Sequence, residues 1–82
     1  MMKRETLEIA HIYVPVKRRA TVVAGTVDKI AASILEVGQQ TPILVRRDGA
    51  RLVLVEGLHR LEACRALGET TIAGYLVQSR KF

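Results

Sequence analysis

The sequence predicts a compact α+β domain with a mixed β-sheet, built in the order strand, helix, hairpin, helix, strand. Three observations support this fold class. Apolar runs typical of strands occur near both ends and in the middle, two segments carry apolar residues at helical spacing, and an Asp-Gly pair separates the central runs. The 82 residues have room for one domain, residues 1–82, whose core we place at about 7–77.

The first predicted element is a strand over residues 7–14, which ends before Pro15. In a regular strand His11 would share a face with Leu7, Ile9 and Tyr13, so we expect it to have a structural role. Residues 15–25 are expected to be irregular, because they contain a basic triplet and end in a breaker, Gly25.

The second element is a helix that we expect to start at Thr26 as N-cap and to end at Gly38 in a left-handed conformation. Five residues at helical spacing predict its buried face: Val27, Ile30, Ala31, Ile34 and Leu35.

The second half of the chain predicts a hairpin, a helix and a last strand. Thr41 and Pro42 open a strand over 43–47, Asp48-Gly49 forms the turn, and the return strand covers 51–55. A helix over 58–67 buries Leu58, Leu61, Cys64 and Leu67 and is closed by Gly68. The last strand covers 70–77, with Gly74 as a candidate bulge.

Composition narrows the class of partner. A net charge of +5 favours polyanions or phosphates, whereas only three aromatic residues argue against an aromatic-rich RNA-binding module. One cysteine and two histidines exclude a disulfide framework and make a metal site unexpected. No apolar run approaches the roughly 20 residues that span a membrane, so we expect the protein in the cytoplasm.

The basic residues are clustered along the chain, as expected of a surface that meets DNA phosphates. Solvated surface charge is the alternative interpretation of each cluster. The candidate DNA contacts are Lys17, Arg18, Arg19, Arg46 and Arg47.

The junction between the return strand and the second helix is the strongest candidate site. A helix leaves its first N–H groups unpaired and carries a partial positive charge there, which favours phosphate. Gly57 would let the backbone turn sharply and let an anion approach closely. Arg60 would make a bidentate contact, and His59 would donate a further hydrogen bond. The alternative is a turn glycine beside a solvated helix face.

Glu56, at the carboxyl end of the same strand, is the candidate catalytic residue. It could act as a base or hold a metal ion near a bound phosphate. The alternative is an ordinary carboxylate that faces solvent at the end of a strand.

These segments resemble the ParB/sulfiredoxin superfamily over roughly residues 7–77. The chain carries Gly38-Gln39-Gln40-Thr41-Pro42-Ile43, with Thr41 where the family's Gly-x-x-Gln-Pro-Ile box usually has glutamine. It carries Gly57-Leu58-His59-Arg60 where ParB proteins have Gly-Glu-Arg-Arg and sulfiredoxins have Gly-Cys-His-Arg. Leu58 replaces the sulfiredoxin cysteine, so sulfinic-acid reduction is not expected. Related small-molecule kinases often carry Asp-Gly-His-His-Arg.

The resemblance implies a nucleotide- or phosphate-binding module of the ParB N-terminal kind, linked to DNA binding or to plasmid or chromosome partition. Its implied ligand is a nucleoside triphosphate with Mg²⁺, and a homodimer is a further expectation. The alternative is a phosphoryl-transfer or phosphodiester-hydrolysing enzyme of the ParB-like nuclease or small-molecule kinase type. The implied binding residues are Thr41, Gly57, Leu58, His59 and Arg60.

Overall fold

Five strands and three α-helices make up the part of the chain that the computed structural model describes, residues 3–38 and 41–78. The strands are β1 (Arg4–Glu8), β2 (Ile12–Tyr13), β3 (Ile43–Asp48), β4 (Arg51–Glu56) and β5 (Thr71–Val77). The helices are α1 (Val16–Arg19), α2 (Ala24–Val37) and α3 (Leu58–Ala66). None of these helices combines the length and apolarity needed to span a membrane.

The strands form one mixed sheet in the order β1-β5-β3-β4-β2. The pairs β1–β5 and β3–β4 are antiparallel, whereas β3–β5 and β2–β4 are parallel. The predicted α+β class and mixed sheet are therefore confirmed. β3 and β4 lie inside the sheet, and the carboxyl end of β4 leads directly into α3.

The prediction of one strand over 7–14 is wrong, because this segment supplies two strands at opposite edges of the sheet. The 3-10 turn Ile9–His11 separates them. The buried positions are odd-numbered before the turn, at Leu7 and Ile9, and even-numbered after it, at Ile12 and Val14. A regular strand cannot bury both Ile9 and Ile12, which are three residues apart, because its side chains alternate with a period of two.

The turn also changes the position of His11. Its side chain is exposed, and its Nε2 lies 3.2 Å from the Glu8 carboxylate. The predicted shared face with Leu7 and Ile9 is wrong, because the turn rotates His11 away from the core that those two residues enter.

Residues 15–25 are more helical than predicted, since they contain α1 and the start of α2. Val23, not Thr26, is the N-cap of α2 and no side chain caps it; the Thr26 N–H already donates to the Val23 carbonyl at 3.1 Å. Leu35 is 76% exposed, so its assignment to the buried face is wrong, while Ile34 enters the core. Gly38 ends the helix at φ 81° as expected, but its ψ of 172° lies outside the left-handed helical region.

The predicted hairpin, second helix and last strand are confirmed within one residue at most ends. Gly74 does not form the predicted bulge; the register shift lies between Leu44 and Val45. A Cβ on Gly74 would lie 2.6 Å from Leu7 Cδ1 and 3.1 Å from Ile43 Cγ1. A larger residue there would displace side chains that converge from the two neighbouring strands, so glycine is favoured.

The core is aliphatic, as the scarcity of aromatic residues requires. α2 packs on α3, and the buried side chains of α3 meet those of the sheet. The largest fully buried side chains are those of Ile43, Leu61, Ile72, Val14, Val45 and Cys64.

Candidate phosphate-binding cleft

Gly57 joins β4 to α3 and has the left-handed conformation, with φ 107° and ψ 29°. A Cβ at this position would lie 2.5 Å from Ile43 Cγ2 and 3.0 Å from Ile43 Cβ. Glycine is thus required both by the backbone conformation and by the fully buried neighbour. The left-handed conformation confirms the predicted sharp turn, and Ile43 occupies the space that a side chain at this position would need. Close approach of an anion to this backbone stays a prediction.

The first turn of α3 presents its backbone amides as predicted. The first intrahelical bond runs from the Leu61 N–H to the Gly57 carbonyl at 2.9 Å, and no side chain caps the helix. The preceding N–H groups, on Leu58, His59 and Arg60, therefore have no partner within the helix. The Leu58 side chain is only 5% exposed and packs in the core, so this residue can offer a ligand its main chain alone.

A cleft of about 460 Å³ lies at this junction. It is bounded by the carboxyl end of β4, the first turn of α3, the start of β3 and the segment that follows α1. All six predicted site residues line it: Thr41, Glu56, Gly57, Leu58, His59 and Arg60. Gln39 and Gln40 of the predicted box lie outside the described residues.

Arg18 is a cleft residue that sequence reasoning assigned to DNA instead. Its Nη1 donates to the Leu54 carbonyl at 3.3 Å and also to the Val55 carbonyl, both at the end of β4. Five donors on a guanidinium leave Nε–H and Nη2 available to a ligand. The sequence feature that could have indicated the helical position of Arg18 is Pro15. Proline fixes a φ that suits the start of a helix, and α1 (Val16–Arg19) follows it directly.

His59 connects two helices across the cleft. Its Nε2 accepts the Val23 N–H at 3.0 Å, and Val23 is the N-cap residue of α2. In this arrangement Nε2 carries no proton, so the predicted donor role toward an anion is left to Nδ1–H.

The charge in the cleft is positive and only partly compensated. Arg18 and Arg60 face the single carboxylate of Glu56, and Arg60 forms no ion pair within the described residues. An anionic ligand would therefore find an uncommitted guanidinium beside the helix N-terminus. Among residues 3–38 and 41–78, no three His, Cys, Asp or Glu side chains are grouped as for a metal ion.

Cys64 lies one turn beyond Arg60 on α3 and is 1% exposed. Burial, reinforced by the Glu69 carboxylate, raises the pKa of its thiol, although the Arg60 guanidinium acts in the opposite direction. The thiol is therefore kept protonated and inaccessible, which agrees with its predicted core position.

The five candidate DNA contacts do not form one surface. Lys17 and Arg19 are exposed on α1, whereas Arg18 belongs to the cleft. Arg46 pairs with Val53 and Arg47 with Leu52, so these consecutive residues lie on opposite faces of the sheet. Contact with DNA stays a prediction for each of them.

The comparisons with known proteins agree with the fold. The model of the ParB N-terminal domain family matches residues 2–81, and no curated protein matches the sequence. Sulfiredoxin from Arabidopsis thaliana is 27% identical with a TM-score of 0.84, over 94% of this chain and 86% of that one. The predicted resemblance to the ParB/sulfiredoxin superfamily is thereby confirmed.

Two further similar structures contain nucleotides. The chromosome-partitioning protein ParB from Caulobacter crescentus, complexed with CTP-gamma-S, is 23% identical with a TM-score of 0.76, over 98% of this chain and 46% of that one. A free serine kinase in complex with ADP is 16% identical with a TM-score of 0.78, over 90% and 30%. This chain thus spans less than half of either protein.

Proposed function

Because the chain belongs to the ParB N-terminal domain family, we propose that its cleft binds the phosphate groups of a nucleotide. The observation that carries the proposal is the meeting of the uncapped first turn of α3 with two guanidinium groups, those of Arg18 and Arg60, in one cleft of about 460 Å³. Helix N-termini and arginine forks are both recurrent phosphate ligands, and the volume suits a small molecule.

Each side of the cleft has a distinct task in this proposal. The amides of His59 and Arg60 and the Arg60 fork hold phosphate oxygens, with the Thr41 hydroxyl as a further donor. Ile30, Pro42 and Leu44 give an apolar wall for the uncharged part of the ligand. Mg²⁺ on a nucleoside triphosphate is commonly held by one or two carboxylates plus phosphates, and Glu56 is the carboxylate that lines the cleft.

The proposed setting is DNA binding and plasmid or chromosome partition. It is supported by the family and by the net charge of +5. The same proposal includes a homodimer, which sedimentation velocity with and without nucleotide would test.

Phosphoryl transfer or phosphodiester hydrolysis is the second candidate function. It is favoured by one observation: the Glu56 carboxylate and the Arg60 guanidinium line the same cleft, as a base and a charge-stabilising group would. The similarity to a serine kinase solved with ADP is consistent with it but extends to the fold alone.

Calorimetric titration with a panel of nucleotides, with and without Mg²⁺, tests the proposal. We expect Arg60→Ala to weaken binding by about 1.5–3 kcal/mol, the range for a charge-assisted hydrogen bond. Arg47→Ala is the matched control, because it removes an exposed arginine that lies outside the cleft.

Absence of binding by any nucleotide, or equal losses in the two variants, would contradict the proposal. Turnover of nucleotides and DNA by the parent and by Glu56→Gln then separates the two candidate functions. Equal activity in both would remove Glu56 from any catalytic role.

A further inference from the structure

A second basic groove, of about 550 Å³, lies along the β2 edge of the sheet. Its lining combines the 3-10 turn and β2, including His11 and Tyr13, with three arginines from three different elements. These are Arg19 of α1, Arg51 of β4 and Arg65 of α3. No residue of this groove lines the cleft at the start of α3.

The arginines of the groove are accessible and weakly committed. Arg51 lies 3.2 Å from Asp48 and Arg65 lies 3.3 Å from Glu62, but their side chains are 54% and 44% exposed. Exposed ion pairs of this kind contribute little to stability, so a phosphate can replace the carboxylate at little cost. Arg19 is exposed and forms no ion pair in the described part of the chain.

One arginine of the groove is positioned by an aromatic ring. The Arg51 guanidinium carbon lies over the Tyr13 ring, 4.2 Å from its centroid, which is a cation–π contact. Arg19 and Arg65 also line an adjoining hollow of about 360 Å³, together with Val14, Val22 and the Glu62 carboxylate that pairs with Arg65. The basic surface is therefore elongated, from the hairpin turn to the space between α1 and α3.

We propose that this groove binds the phosphodiester backbone of nucleic acid. A small phosphate would gain little from open, solvated arginines. A polymer with regularly spaced charges gains with every contact, because each neutralised phosphate releases condensed counterions. The inference deepens the DNA-binding part of the proposed function, since it assigns that binding to a surface separate from the nucleotide cleft.

Fluorescence anisotropy of a labelled DNA duplex across a salt series tests the inference. The test variant is Arg19→Gln/Arg51→Gln/Arg65→Gln. The matched control is Lys3→Gln/Arg4→Gln/Lys29→Gln, which removes the same charge from exposed residues outside the groove that are not candidate DNA contacts. Each phosphate contact contributes roughly 0.9 to the slope of log K against log salt, so we expect the groove variant to reduce the slope by up to about 2.7.

A third variant keeps every arginine and guards against a folding artefact. Glu62→Gln releases Arg65 from its ion pair, so we expect the duplex to bind this variant more tightly than it binds the parent. Arg60→Ala should leave duplex binding unchanged while weakening nucleotide binding, which separates failure of the groove from failure of the cleft.

Three outcomes would overturn the inference. The control triple variant could lose as much affinity and slope as the groove variant, which would indicate general charge attraction. The duplex could bind the groove variant as well as the parent. Inorganic phosphate could displace the duplex more effectively than sulfate at equal ionic strength, which would indicate a site for a small anion.

Discussion

The two walls of the cleft are built differently. One wall, at the Gly57–α3 junction, is part of the core: Ile43 and Leu61 are 0% exposed and Leu58 is 5% exposed. The other wall is residues 15–23, which we term the strap. No side chain of α1 is buried, and Val16 is 70% exposed.

The strap is held to the body largely by polar contacts. Arg18 donates to two carbonyls of β4, and the Val23 N–H donates to His59. Apolar packing is limited to its ends, where Val14 before it is buried and Val22 is partly buried. A segment with few buried apolar contacts opens at low free energy, whereas a core wall opens only with global unfolding. Because the strap opens more easily than the core wall, the cleft has one preformed wall and one adjustable wall.

Gly57→Ala disrupts packing in the core wall, and we expect this substitution to cause the largest loss of stability. The new Cβ would meet Ile43 Cγ2 at 2.5 Å and would sit at φ 107°. Overpacking costs about 1–3 kcal/mol and a left-handed residue about 1–2 kcal/mol, so the free energy of unfolding should fall by about 2–5 kcal/mol. Chemical denaturation measures this change.

Two other glycines separate the causes of that loss. Gly49 has φ 61° with nothing within 4 Å of its Cβ position, so Gly49→Ala should cost only the conformational part, about 1–2 kcal/mol. Gly25 lies in α2 without positive φ or close neighbours, and Gly25→Ala should stabilise by about 0.4–1 kcal/mol. A Gly57→Ala loss no larger than that of Gly49→Ala would show that the wall can move.

Arg18→Met loosens the strap, and we expect an intermediate and local effect. Two hydrogen bonds to β4 are lost with the guanidinium, while an unbranched apolar stem is kept. A local loss of about 1–2 kcal/mol corresponds to amide exchange over residues 16–22 that is about 5–30-fold faster. Hydrogen exchange resolved by residue measures it, and global stability should change much less.

His59→Phe is the companion variant, because it removes the acceptor of the Val23 N–H alone. Exchange should then rise at Val23 more than within α1. Equal acceleration throughout the core in either variant would contradict the distinction between the two walls.

The central and C-terminal elements could be predicted because each carries a local signal. Asp48-Gly49 predicts the hairpin, and Gly57 and Gly68 bracket α3, so these boundaries hold within about one residue. The N-terminal strand could not be predicted, because the two burial phases of 7–14 become separate strands only when β4 and β5 supply partners at opposite edges. That pairing is tertiary and leaves no local pattern.

In the candidate site too, residues with a local sequence signal could be predicted and residues placed by tertiary contacts could not. Glu56, Gly57, His59 and Arg60 are predicted because a strand-to-helix junction with glycine is visible in the sequence. Thr41 and Leu58 are implied only by the family resemblance, and the structure brings all six to one cleft. Arg18 was missed as a member of the cleft because its position depends on carbonyls 36 and 37 residues away along the chain. The steric need for glycine at position 57 could not be predicted, because Ile43 becomes its neighbour only in the folded sheet.

The smallest expected effect concerns Cys64, whose buried thiol makes the stability of the core wall depend on pH. Its thiol is 1% exposed, and burial together with the nearby Glu69 carboxylate raises its pKa, against the effect of Arg60. The folded state therefore holds the thiol proton more tightly than the unfolded chain, whose thiol titrates near pH 8.5. Stability from this group is complete below that pH and is lost as the pH rises through the folded pKa.

We therefore expect the unfolding free energy to fall more between about pH 8 and pH 10 in the parent than in Cys64→Ala, where the thiol is absent. In the native protein at neutral pH, alkylation by iodoacetamide should be slow, and equally slow in Arg18→Met, because opening the strap leaves α3 in place. Faster alkylation in Arg18→Met would mean that the strap and the core wall open together, and the two walls would then be a single cooperative unit.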